Sequence, residues 1–372
     1  MFRLWPGITP CRGENVKVIA AIAIALFAYL AFWPVPIEPV AWDAPAAPAL
    51  EGRYAVNERL AAVRRVGAGV GIGPEDVAID AAGNVFVGYE DGRIVRFAPD
   101  GRQHALLADT GGRPLGLEFD LEGRLVVCDG YKGLLRIAMD GAIEVLATEA
   151  DGLPFGFTND LDIAPDGMIY FSDASSRFGP AMKARDDVLE HGGRGRLIRH
   201  DPATGTTTVL LDGLQFANGV ALAPDGRSVL VAQTGRYDVL RYWLEGDQAG
   251  SHEVFIDNLP GIPDGISSNG RDTYWLALFT VRNPVLDALS GWPRLRKVAY
   301  RMPEFLQPQP APYAFVLGLS LEGEVLHSLQ HPGRESFSPV TSATEAHGRL
   351  YLGSLTQDSF GVLDLPAPDA TP

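Results

Sequence analysis

The stretch NDLDIAPDGMIYF, Asn159 to Phe171, decides the fold. Its first half alternates polar and apolar residues, Asp166-Gly167 supplies a tight turn, and the aromatic run that follows returns antiparallel. Five other stretches fall into register with it: EDVAIDAAGNVFV from Glu75, LGLEFDLEGRLVV from Leu115, NGVALAPDGRSVLV from Asn218, DGISSNGRDTYWL from Asp264 and, more loosely, VTSATEAHGRLYLG from Val340. Each hairpin is followed by more β-rich sequence, such as GRIVRFAPDG and GRLIRHDPATG. The unit is roughly 40 residues or more, the period of a propeller blade. Six copies predict an all-β, six-bladed β-propeller with four strands per blade.

The register also predicts a site. In its common slot stand Glu75, Leu115, Asn159, Asn218, Asp264 and, approximately, Val340. If each copy opens the innermost strand of a blade, these side chains converge on one axis. A slot used only for packing would be apolar or small in every copy, whereas four of these six carry oxygen donors. Asn and Asp also favour turns, so each taken singly has a local explanation. As a set, Glu75, Asn159, Asn218 and Asp264 offer amide and carboxylate oxygens to a hard cation, for which calcium is the expectation.

The rest of the chain bounds the setting. Its 372 residues carry a net charge of −15, which argues against a nucleic-acid partner. Residues 16–35 form an almost wholly apolar run, close to the ~20 residues that span a bilayer. Arg3, Arg12 and Lys17 precede it, while Glu38, Asp43 and Glu51 follow. The positive-inside rule then puts residues 1–15 in the cytoplasm and the remainder in a periplasm, lumen or extracellular space. A cleaved signal peptide is the competing reading, with only a distant Ala-Pro-Ala stretch near Pro45 as a cleavage candidate. Residues 36–52 read as an extended Pro/Ala-rich linker, 53–366 as the propeller and 367–372 as a tail. Cys11 and Cys128 fall on opposite sides of the membrane and so cannot pair; Cys128 reads as a buried strand residue.

Several stretches carry a family likeness: GRPLGLEFD (Gly112 to Asp120), DGLPFGFTNDLDI (Asp151 to Ile163), YFSDASSRF (Tyr170 to Phe178) and GLQFANGVALAPDG (Gly213 to Gly226). On these the chain, from about Arg53 to Leu365, resembles the strictosidine-synthase-like family, the adipocyte plasma-membrane-associated proteins among them. More distantly it resembles regucalcin-type gluconolactonases, diisopropyl-fluorophosphatase and the paraoxonases. The resemblance implies a six-bladed propeller whose hydrolytic members hold axial calcium with Glu, Asn, Asn and Asp, matched here by Glu75, Asn159, Asn218 and Asp264. It also marks departures. The paired catalytic histidines of the paraoxonases have no counterpart, and Gly265 stands where their Asn follows the last Asp. The glutamate with which the plant synthase condenses amine and aldehyde falls at about Thr341, so that condensation is not expected.

The chemistry expected is calcium-dependent hydrolysis of a lactone, aryl ester or related small ester, the ion acting as Lewis acid. Asp264 is the candidate general base or nucleophile, and Glu75 the carboxylate that holds the ion beside the reacting group. Asp76 and Asp160 follow the donor positions and are candidates to orient them, with hydrogen bonding in blade turns as the alternative. The rival reading is a non-catalytic, membrane-anchored propeller with structural calcium, serving as a binding module. Ser172 lacks a nucleophile elbow and reads as a strand-end residue. The histidines show no metal spacing and are expected in solvent-exposed turns. Insertions at Arg177–Gly195 and Arg282–Tyr313 break the repeat. The second mixes apolar residues with Arg294, Arg296, Lys297 and Arg301, which suits a membrane-surface helix, a lid or a plain packing helix.

Overall fold

Every repeat read from the sequence folds as one antiparallel four-stranded sheet. The computed structural model describes residues 12–179 and 184–366. The innermost strands run Val77–Ile79, Pro114–Phe119, Thr158–Ile163, Ala217–Leu222, Gly261–Ser268 and Ala343–Ala346. Each touches the innermost strand of the next blade, and the sixth touches the first, so six blades close a ring. The last blade borrows its outer strand from the other end of the domain: Arg64–Val66 pairs antiparallel with Phe360–Asp364.

Packing explains why strand residues of both alternations are apolar. Successive side chains of a strand point to opposite faces, and in a ring of blades each face meets a neighbour. Val126 accordingly packs toward the third blade and Val127 toward the first. Six apolar clusters result, each sandwiched between two adjacent blades, with no single central core. Across the closing junction the rings of Phe97 and Phe360 meet edge to face with centroids 5.2 Å apart.

Two insertions rise from the ring. Helix α1, Arg12–Phe32, is the apolar N-terminal helix. Helix α2, Ala184–Glu190, interrupts the third blade; helices α3, Pro284–Leu289, and α4, Pro293–Arg301, interrupt the fifth. Asn283 caps α3 by accepting from the Val285 and Leu286 amides. Both insertions follow the second strand of a blade, and those strands pair antiparallel with the innermost ones, Thr158 opposite Asp173 and Gly261 opposite Val281. They therefore lie at the end of the ring where the innermost strands begin.

Residues 36–52, expected as an extended linker, form no strand and are held to the domain at several points. The amides of Glu38 and Val40 donate to the Glu190 carboxylate and carbonyl at 2.8 Å each. The Trp42 amide donates to the Ser290 carbonyl at 3.2 Å, and the Trp42 ring stacks on His191 with centroids 4.2 Å apart. Ile37 is fully buried. The segment is a strap tying α2 to the α3–α4 insertion. His191 and the equally buried His200, which pairs through Nδ1 with Thr207 Oγ1 at 2.8 Å, correct the expectation that the histidines are exposed. Cys11, part of the expected cytoplasmic segment 1–15 and the tail 367–372 lie outside the described residues.

If the Phe97–Phe360 contact closes the ring, Phe360→Ala removes a wholly buried ring and leaves a cavity at the seam. A loss of about 3–5 kcal/mol is expected in denaturant unfolding. A change below ~1 kcal/mol would show that closure does not rest there.

Candidate metal and active site

The four donor residues sit at or beside the starts of innermost strands, where the strands come closest together. Gly219 permits one such approach: a Cβ there would press on the Asp264 carbonyl and the Ile266 amide of the next blade. Gly353 permits another, since a Cβ would overlap the Glu75 carbonyl. Backbone contact of this kind brings Asn218, just before Gly219, and Glu75, whose carbonyl faces Gly353, into one small space. Glu75, Asn159 and Asn218 line a single axial cavity of about 90 Å³, and Asp264 joins them because the Asn218 amide nitrogen donates to its Oδ1.

All four are buried, at 7, 5, 3 and 7% exposure for Glu75, Asn159, Asn218 and Asp264. Burial, then the charge of Asp264, pushes the Glu75 carboxyl well above its usual range. Burial likewise raises Asp264 to about 7, opposed by the hydrogen bond from Asn218. Two carboxylates confined together are unfavourable unless protonated or neutralised by a cation. Arg113, 5% exposed, stands close enough to Glu75 to act on it electrostatically, but its guanidinium also donates to the Gly73 carbonyl at 3.1 Å. Meanwhile Asn218 Oδ1 is buried without a partner, while its Nδ2 donates to Thr234 Oγ1 at 3.1 Å as well as to Asp264. An orphaned amide oxygen beside two carboxylates is a donor set that fits a hard cation. Among the described residues no three His, Cys, Asp or Glu side chains gather as a metal cluster, since amides supply half of these donors.

Asp76 and Asp160 have a different set of partners. Asp76 Oδ2 accepts from the Leu117 amide at 2.9 Å, and the Asp160 carboxylate accepts from the Leu161 and Val220 amides at 2.9 Å each. Asp162 accepts from the Leu222 amide at 2.7 Å. Each thus bonds the innermost strand of the following blade, and these bonds stitch the ring together below the donors. Ser172, fully buried, accepts from the Asp160 amide at 3.1 Å. Thr341, where the condensing glutamate would stand, donates to the Glu75 carbonyl at 2.6 Å. Arg113 and Thr234 were not singled out by the repeat: Arg113 precedes the apolar slot residue Leu115 by two positions, and Thr234 follows a second strand.

A six-bladed propeller with a polar axial site is the class of protein so defined, and comparison with known proteins places the chain within it. The strictosidine synthase pattern matches residues 159–247, and the strictosidine synthase-like N-terminal pattern matches 52–97. The chain is 33% identical over 358 residues to an adipocyte plasma membrane-associated protein from Salmo salar, covering 89% of this chain and 84% of the relative. It is 36% identical over 325 residues to strictosidine synthase-like protein 10 from Arabidopsis thaliana, covering 79% of this chain and 85% of the relative. The chain belongs to the strictosidine-synthase-like family. Among solved structures, a gluconolactonase from Xanthomonas campestris superposes with TM-score 0.60 at 21% identity, covering 90% of this chain and 99% of that one. A calcium-binding protein, regucalcin, from Agrobacterium tumefaciens gives 0.56 at 15% identity, covering 81% and 91%. At these identities the likeness establishes the fold.

The cavity carries a pH dependence of its own. Glu118, farther along the axis, is raised to about 8 by burial and then by the charge of Asp162. A carboxyl raised in the folded state stabilises fully below its ordinary range, and that contribution is lost as pH rises through about 8. Stability is therefore expected to fall between about pH 5 and pH 9, and Glu118→Gln to flatten the fall. An unchanged slope in thermal melts of the variant would exclude Glu118 as its source.

Proposed function

We propose that this chain is a membrane-anchored, calcium-dependent hydrolase of a lactone, aryl ester or related small ester. The observation that carries the reading is the pairing of two buried carboxylates with the partnerless Asn218 Oδ1. Glu75, Asn159, Asn218 and Asp264 would hold the ion, and Arg113 can offset only part of their charge. Calcium bound there supplies Lewis-acid polarisation of a carbonyl oxygen. Asp264 is the group that accepts a proton from an attacking water or attacks directly, and its carboxylate is oriented by the Asn218 amide. Asn218 is in turn fixed by Thr234, whose hydroxyl donates to the Pro263 carbonyl at 2.8 Å. Thr341 has no carboxylate to offer, so amine–aldehyde condensation is not expected.

The gluconolactonase and regucalcin likenesses support a lactonase-type fold, and the likeness to adipocyte plasma membrane-associated proteins supports the anchor. Helix α1 has the length and apolar composition to cross a bilayer from Asn15 to Phe32. We read it as a single span, with the N-terminus cytoplasmic and the propeller on the other side.

Burial of all four donors gives the second reading its footing: in that reading the enclosed ion pins the blades and leaves the propeller as a binding module. Turnover of a lactone and aryl-ester panel by the full chain distinguishes them. Activity that vanishes on chelation and returns with calcium is expected. Asp264→Asn is expected to lower kcat by about 10²–10⁴ with the fold retained. No turnover of any substrate, together with a calcium-induced rise in melting temperature, would assign the ion a structural role.

A further inference from the structure

The α3–α4 insertion of the fifth blade is joined to the end of α1. Arg301, in the last turn of α4, donates through Nε to the Trp33 carbonyl at 2.6 Å and through Nη1 to the Leu30 carbonyl at 2.8 Å. Tyr29 Oη donates back to the Arg301 carbonyl at 3.1 Å. The last carbonyls of a helix lack intrahelical partners, and a cation suits the negative end of its dipole. Arg301 therefore caps α1 where its apolar run stops. Tyr29 and Trp33, with ring centroids 5.8 Å apart, stand at that same level, where aromatic residues concentrate in membrane proteins.

Around this junction the insertion leaves large apolar side chains uncovered. Phe305 is 81% exposed, Trp292 63%, Leu306 54% and Leu295 47%. A lid or a packing helix would bury such residues against the propeller. Here the buried side chain of α4 is Arg296 instead, which donates to the Leu189, Val40 and Ser290 carbonyls and clamps the helix to α2 and the strap. Trp292 and Leu295 lie three residues apart, on one side of the α4 start. Arg294 is exposed beside them, a charge suited to lipid phosphates.

We propose that this surface, Trp292, Leu295, Phe305 and Leu306 with Arg294, is a second membrane contact that enters the interfacial layer of the bilayer spanned by α1. The occupant is lipid, because the patch is continuous with the helix that would cross it. This inference rests on the reading of α1 as a span and is independent of the hydrolase reading. Its consequence is orientation: the insertion lies at the end of the ring where the donor-bearing strands begin, so that end faces the bilayer.

The test uses the full chain with Cys11 replaced by serine and the fully buried Cys128 left in place. An environment-sensitive fluorophore is attached at Phe305→Cys, and separately at Ile24→Cys within α1 and Glu122→Cys on a turn at the opposite end. Each protein is reconstituted into phosphatidylcholine–phosphatidylserine bilayers carrying nitroxide-labelled lipid. The label at 305 is expected to lose fluorescence to the lipid nitroxide, less than at 24 and more than at 122. Quenching at 24 with none at 305 overturns the second contact while leaving the anchor. Absence of quenching at 24 overturns both. A label at 305 shielded from a water-soluble quencher yet untouched by lipid nitroxide also overturns the proposal, because a copy of the chain then covers the patch.

Discussion

Closure of the ring is the constraint on which everything else depends. Three residues from ahead of the first blade, Arg64–Val66, complete the last one, and only a closed ring presses the six innermost strands together at the axis. That pressure is visible at Gly219 and Gly353, where even a methyl group would meet the backbone of the next blade. Because the six apolar clusters lie between blades, no blade has a core to itself. Loss of one seam therefore exposes two faces, and cooperativity of the domain follows from the geometry rather than from any single contact.

The same closeness makes the axis an electrostatic problem. Glu75, Asp76, Glu118, Asp160 and Asp264 all have carboxyls raised by burial. The fold answers differently at the two levels. Asp76, Asp160 and Asp162 are met by amides of the following blade, so each charge is solvated by backbone and also joins two strands. Among the described residues Glu75 has no such amide, and Asp264 has only the Asn218 amide nitrogen. Where backbone donors run out, an orphaned amide oxygen appears as well. That change from self-satisfied to unsatisfied polar groups marks the donor level as the place built for something the chain does not itself supply.

Repeat and register were legible because they are period signals. A hairpin copied six times needs one spacing and one turn, and the slot residues Glu75, Asn159, Asn218 and Asp264 stand out against the apolar Leu115 and Val340, both buried. What escaped the sequence depends on contacts between repeats. The inter-blade role of Asp76 and Asp160 follows from the stagger of adjacent strands, which no single strand encodes. Arg113 reaches Glu75 from the next blade, two positions ahead of the shared register. The burial of His191 is set by Trp42, some 150 residues away in a segment whose Pro/Ala composition reads as a free linker. Composition carries no trace of the acceptors that hold this segment's amides, which are the Glu190 carboxylate and carbonyl on α2 and the Ser290 carbonyl at the end of α3.

That strap changes what anchoring means mechanically. A free linker of such length would let a propeller swing and turn above the membrane. Here the path from α1 is fixed at successive points: Arg301 on the helix end, Lys297 on the Glu38 carboxylate, Glu190 on the next amides, and Ser290 beyond. Arg177 adds a bond to the Pro36 carbonyl at 3.2 Å. Every one of these partners belongs to α2, α3, α4 or their flanks, and those insertions stand at the donor-bearing end of the ring. The elements that fasten the propeller to its N-terminal helix are thus the same ones that surround the approach to the site. A chain meant only to display a binding surface away from the membrane would gain from fastening the opposite end. If α1 spans a bilayer as proposed, fastening this end instead would shorten the path between that bilayer and the axial carboxylates, as the proposed hydrolysis of an apolar ester from lipid requires.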